Sequence, residues 1–206
     1  NTDLAFNGVY ITDYANYTDS VSTVNAVRSA ITIAAAINAK TNLSGVSATV
    51  EAATLSPGQA IAGGNINPAS AQLTINGVAI FDATTTILAD DADGALRDAI
   101  NLKSNQTGVT ASLDSSNQLV LTAADGRNID VTTGAATVGD VLGLTATAAA
   151  YANTTGGKVK VTSNKDIIVS GDTPALAGFS AGTIFKDPNL AINKLAVSTV
   201  GWANLA

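Results

Sequence analysis

AINLKSNQTGVTAS, residues 99–112, repeats AINAKTNLSGVSAT, residues 36–49. Eight of the fourteen positions are identical, and four of the other six exchange Ser for Thr. A phrase copied with its polar detail intact marks a structural unit written twice.

The second copy reads outward from this phrase without interruption. QLTINGVAIFD (72–82) alternates apolar and polar residues around Asn76-Gly77, the strongest short-range hairpin signal. DDADGALRDAINLKSN (90–105) follows, with Asp91 and Asp93 as candidate helix caps. Its Leu96, Ala99, Ile100 and Lys103 fall at helical spacing, which predicts a helix. GVTASLD (108–114) and QLVLTA (118–123) read as strands joined by a turn, and NIDVTT (128–133) as a third strand after Asp125-Gly126. VGDVLGLT (138–145) closes the unit.

The first copy is discontinuous. VNAVRSAITIAAAINAKTN (24–42) reads as a helix and GVSATVEAA (45–53) as a strand. The strand's hairpin partner does not follow. The chain instead enters LSPGQAIAGGNINPAS (55–70), whose Gly, Pro, Ser and Asn content reads as loop. A matching pattern returns only at GGKVKVTSNKDIIVSG (156–171), with PALAGFSAG (174–182) resembling VLGLTA (141–146). The expectation is a split first unit with the second unit inserted at an exposed loop, where insertion is tolerated. The fold class is α+β: small antiparallel β-sheets each packed with a helix, in two related modules, one inserted in the other. The inner module covers 1–70 and 149–194, the inserted module covers 71–148, and 195–206 is a return segment.

Composition narrows the function. The 206 residues include no His, Cys or Met. The commonest general base, the thiol nucleophile and every cysteine-based zinc or disulfide arrangement are thereby excluded. No cofactor and no metal site are expected, and no enzyme activity. Net charge is −6 and the ten basic residues are scattered singly, whereas phosphate backbones need clustered Lys and Arg; no nucleic-acid partner is expected. The longest run of low polarity, AITIAAAINA (30–39), is far below the ~18 to 20 residues of a membrane helix, so no membrane insertion is expected. No signal peptide is visible. The start at Asn1 rather than Met gives the expectation of a piece from a longer chain. The hydroxyl-rich, weakly charged surface suits an extracellular or filament protein.

LTINGV (73–78), AIN (99–101), TGVTAS (107–112) and LVLTAADGRNI (119–129) resemble the flagellin hook IN motif, found in the variable outer domains of bacterial flagellins and in some hook-associated proteins. The resemblance implies a discontinuous domain (D2-like) carrying an inserted one (D3-like), both projecting from a filament. It implies a structural, extracellular role at the bacterial flagellum in filament surface, antigenicity and motility. The partners implied are other flagellin subunits, through core segments absent here, with antibodies or surface glycans as further partners and a monomeric fragment in isolation. The tail LAVSTVGWANLA (195–206) resembles the return to the flagellin core, although Trp202 follows Gly201 and breaks that pattern. The alternatives are a hook-associated junction or cap protein and a cell-surface glycan-binding module.

Individual residues divide along the same lines. Asn38 and Asn101 sit near predicted helix ends, where an amide that bonds backbone fixes the turn before Gly45 or Gly108. Asn76-Gly77 and Asp125-Gly126 are turn residues, and Arg127 is placed to pair with Asp130. DDADG (90–94) has closely spaced Asp but lacks the remaining positions of a calcium loop, so capping is the expectation. Lys158, Lys160 and Lys165 form a mild basic spot, a candidate contact for acidic glycans and otherwise a solvated strand face. Tyr10, Tyr14 and Tyr17 are expected to pack under the first sheet or against the domain stem, with sugar stacking as the alternative.

Overall fold

The computed structural model describes residues 4–12, 14–70, 72–144, 151–184 and 193–199. The chain starts with β1 (Ala5–Phe6), β2 (Val9–Tyr10), α1 (Ala30–Asn38), α2 (Thr41–Ser44) and β3 (Val46–Glu51). It continues through β4 (Ala53–Leu55), β5 (Gly64–Ile66), β6 (Leu73–Ile75), β7 (Val78–Ala79) and β8 (Thr85–Ile87). Then come α3 (Ala95–Leu102), α4 (Ser104–Thr107), β9 (Thr110–Leu113), β10 (Leu119–Ala123), β11 (Ile129–Thr133), α5 (Ala136–Val141) and β12 (Ala152–Thr155). It ends with β13 (Lys158–Ser163), β14 (Ile167–Ser170), β15 (Gly182–Ile184) and β16 (Asn193–Thr199). Small antiparallel sheets with short helices make an α+β fold, as the alternating patterns predict.

The contacts divide the chain into two compact units. Unit 1 comprises Asn1–Ala52, Asp125–Arg127 and Gly156–Ala206; unit 2 comprises Ala53–Ala124 and Asn128–Thr155. Each contains a four-stranded and a three-stranded sheet of the same design. In unit 1 the orders are β15-β14-β1-β2 and β16-β13-β3; in unit 2 they are β12-β11-β6-β7 and β4-β10-β9. Registers agree as well. Phe6 opposes Val169 in unit 1 as Ile75 opposes Val131 in unit 2. Ala48 opposes Val161 as Ala111 opposes Leu121.

Each unit buries its own core. In unit 1, Ile33 and Ile37 on α1 join Leu4, Phe6, Val46, Val161, Val169 and Phe179. The Phe6 and Phe179 rings meet edge to face at 5.2 Å and 86°, the arrangement that aligns a positive ring edge with a negative face. In unit 2, Leu96 and Ile100, one turn apart on α3, join Ile75, Val109, Leu121, Val131 and Leu144. The fully buried side chains on these stripes each contribute about 1.5–3 kcal/mol, offset by ordering entropy.

Residues 55–70 are not the bare loop that their Gly and Pro content suggests. β5 pairs with β8, and Ile61 and Ile66 are buried in the unit 2 core. The two apolar anchors outweigh the turn formers around them. Glu51, the last residue of β3, lies directly opposite Lys158, the first of β13. Residues 200–206 of the return segment lie outside the described residues.

Candidate functional site

The repeated phrase passes through a single helical turn, α2 or α4, closed by a glycine. Gly45 and Gly108 sit at φ 72° and 71°, and their N–H groups bond Thr41 O at 2.8 Å and Ser104 O at 2.7 Å. This is a left-handed C-terminal cap. A Cβ on Gly45 would meet nothing within 4 Å, so the backbone angle alone calls for glycine there.

The hydroxyl before each glycine holds the turn from inside. Ser44 Oγ donates to Lys40 O at 3.1 Å and accepts from Val46 N at 3.1 Å. Thr107 Oγ1 donates to Lys103 O at 3.3 Å and accepts from Val109 N at 3.1 Å. The Ser/Thr exchange between the copies therefore preserves a function of the hydroxyl.

The Asn of each AIN then grips the strand that follows. Asn101 Nδ2 donates to Ala111 O at 3.1 Å, while its Oδ1 accepts from Ala111 N at 2.8 Å. Asn38 does the same with Ala48, at 2.9 and 2.7 Å. A side-chain amide presents the same donor and acceptor as a peptide group. Each Asn therefore completes the outer edge of β9 or β3 at one residue, an edge that would otherwise face solvent unpaired.

A second amide clamp sits at the hairpin. Asn76 donates its backbone N–H to Asp130 O and accepts Asp130 N–H on Oδ1, both at 2.8 Å. Its Nδ2 donates to Thr107 O at 2.8 Å. One residue, at φ 50° beside Gly77 at 78°, thus forms the turn, extends β11 and fastens the end of α4. Unit 1 reproduces this at a position that the sequence reading missed. Asn7 bonds Ile168 through backbone N–H (2.9 Å) and Oδ1 (2.8 Å), and its Nδ2 donates to Ser44 O at 2.8 Å. The signal was present: LAFNGVYI (4–11) and LTINGVAI (73–80) share Leu, Asn-Gly-Val and Ile at the same spacing.

Charged residues serve the same frame. Asp91, fully buried, accepts Leu96 N at 2.8 Å and Arg97 N at 3.2 Å and takes Arg97 Nε at 2.7 Å. It is the working cap of α3, while Asp93 accepts Ala95 N at 3.2 Å. In unit 1 the cap of α1 is Ser29, which accepts Thr32 N at 3.2 Å. Behind it, Asp19 accepts the N–H groups of Val21 and Ser22. Burial raises the Asp19 pKa, but hydrogen bonds from Ser22, Ser29 and Val21 outweigh it and hold the carboxyl below its ordinary value.

Arg127 pairs with Asp125, not with Asp130. Its Nε and guanidinium nitrogen reach Asp125 Oδ2 at 2.8 and 2.7 Å, because the tight turn through Gly126 puts the two side chains on one side. Asp130 instead accepts from Thr154 Oγ1 at 2.7 Å. Desolvation raises the Asp125 pKa, and the hydrogen bonds and charge of Arg127 more than reverse it. At Gly126, φ is 78° and a Cβ would lie 2.1 Å from Val50 Cγ1 and 2.9 Å from Glu51 O.

The basic spot is partly neutralised. Lys158 and Lys160 face outward from β13, with Lys160 Nζ 3.4 Å from Glu51 Oε1; Lys165 lies exposed in the following turn. Tyr14 and Tyr17 pack against the unit 1 core, while Tyr10 is 48% exposed. Among the described residues no group of three His, Cys, Asp or Glu could hold a metal ion, and no helix is long and apolar enough to cross a membrane.

Residues 72–125, which contain Asn76, Asn101 and Gly108, match the family model of the flagellin hook IN motif. Flagellin B of Helicobacter pylori is 34% identical over 142 residues, covering 66% of this chain and 26% of the relative. Flagellin A of Helicobacter felis is 38% identical over 99 residues, covering 48% of this chain and 18% of the relative. The chain thus spans about a quarter or less of the length of these curated relatives.

Proposed function

We propose that this chain, which carries a flagellin hook IN motif and shares sequence with bacterial flagellins, is a structural, surface-exposed region of a flagellar filament subunit. In that role it sits outside the cell at the flagellum and contributes to filament surface, antigenicity and motility, with other flagellin subunits as partners. On this reading unit 1 is the inner, D2-like module and unit 2 the inserted, D3-like module.

One observation carries the reading. Within the matched segment, both polar side-chain atoms of Asn76 and Asn101 are spent on backbone. Both amides hold the frame, each binding backbone through its nitrogen and its oxygen. A domain whose task is to be a stiff projection needs satisfied backbone and a close-packed core, and two copies of one frame provide both.

The test uses the tryptic peptide SNQTGVTASLDSSNQLVLTAADGR, bounded by Lys103 and Arg127. Filaments sheared from source cells are digested and the peptide is quantified. A major species in the filament fraction supports the proposal. A trace amount there points to a hook-associated protein. Retention with the cell envelope overturns the filament reading in favour of a surface glycan-binding module.

A further inference from the structure

The sequence contains two Asn-Gly pairs, Asn7-Gly8 and Asn76-Gly77, and the fold has placed both in the same clamp. Asn-Gly is the dipeptide most open to spontaneous deamidation, because glycine leaves its backbone nitrogen unhindered. The Gly nitrogen, losing its proton to water or hydroxide, attacks the Asn Cγ. A new N–Cγ bond forms, the Cγ–Nδ2 bond breaks, and Nδ2 leaves as ammonia. Water then opens the cyclic imide at either carbonyl, giving Asp or isoaspartate.

We infer that Asn7 and Asn76 are latent modification sites, held unreactive by the folded clamp and converted when their hairpin opens, so that each records an opening event irreversibly. Ring closure requires the Asn side chain to swing until Cγ meets the next backbone nitrogen. In the fold, Oδ1 of Asn76 is held by Asp130 N and Nδ2 by Thr107 O, both at 2.8 Å. Asn7 is held at the same distances by Ile168 N and Ser44 O. Neither side chain turns without breaking both bonds. The product does not restore the clamp: a carboxylate oxygen replaces the amide donor opposite Thr107 O or Ser44 O, and acceptor faces acceptor. An isoaspartate also lengthens the backbone within a turn that depends on two residues at positive φ.

The two sites differ in cover. Asn76 is 5% exposed and Asn7 is half-buried, while Gly8 and Gly77 are both open to solvent.

The purified chain, incubated at mildly alkaline pH with and without concentrated urea, tests this by peptide mass spectrometry. Since conversion tracks the population of the open hairpin, the folded chain should deamidate at Asn76 about tenfold or more slowly than the unfolded chain. Equal rates in the two states overturn the inference. The deamidated fraction, isolated by ion exchange, should unfold at a lower urea midpoint than the parent, and so should the Asn76→Asp variant. An unchanged midpoint for both overturns the claim that conversion opens the clamp.

Discussion

Asn101 and Ala111 exchange two hydrogen bonds, side-chain amide to backbone, at 3.1 and 2.8 Å across the joint between α3 and β9. Asn38 and Ala48 do so again in unit 1. The repeated AIN is thus legible as mechanics: the helix is tied to the edge of the strand that follows it.

Replacing Asn101 by Ala should lower stability by about 1–3 kcal/mol, because Ala111 N–H and C=O lose their partners. Asn101→Asp keeps the acceptor but removes the donor, and should fall between wild type and Ala. Urea unfolding followed by circular dichroism measures both. A midpoint unchanged in Asn101→Ala would show that solvent replaces the clamp without loss.

The glycines should separate by mechanism. Gly45→Ala meets open space and should cost about 1 kcal/mol through its left-handed backbone alone. Gly126→Ala adds a collision with Val50 and the Glu51 carbonyl, and overpacking of this kind adds about 1–3 kcal/mol. Comparing the two thermal midpoints checks the order.

Acid should weaken unit 1 through Asp19 and Asp125. Both folded pKa values lie below their unfolded values. Their stabilisation is therefore present above the unfolded carboxylate pKa and is lost as pH falls through the folded one. Unfolding midpoints should drop on acidification, less steeply in Asp19→Asn. Because Asp125 is substantially solvent-exposed, its share should be small and reduced by salt. An identical pH slope in Asp19→Asn and wild type would contradict the assignment.

Removing the Lys160 ammonium by Lys160→Gln should change stability by no more than about 1 kcal/mol, since its partner Glu51 is half-exposed and the pair is a surface one. The urea midpoint reads this directly. A larger loss would mean that the pair anchors β3 to β13 beyond their backbone ladder.

The strands around Asn76-Gly77 and the helix through Leu96 and Ile100 were legible because alternation and helical spacing are local signals, and the fold class follows from them. The Asn7-Gly8 hairpin went unread although its residues match LTINGVAI. Phe6 and Tyr10 replace Ile75 and Ala79, and a longer segment with two short 3-10 turns separates it from α1. Ile61 and Ile66 were hidden by their setting, because a three-residue strand is too short to show a period among Gly and Pro. The Asp125–Arg127 pair depends on the turn geometry at Gly126, which residue types alone do not determine.

Glu51 and Lys158 face each other across one antiparallel pair, so the chain leaves β3 and re-enters β13 within about 5 Å. This is a socket. A foreign polypeptide whose own ends lie one strand apart could be spliced there in place of residues 52–157 and impose almost no closure penalty on its host. The same economy lets the segment between the two strands be exchanged by recombination at two neighbouring points while the sheet of β3 and β13 stays as it is.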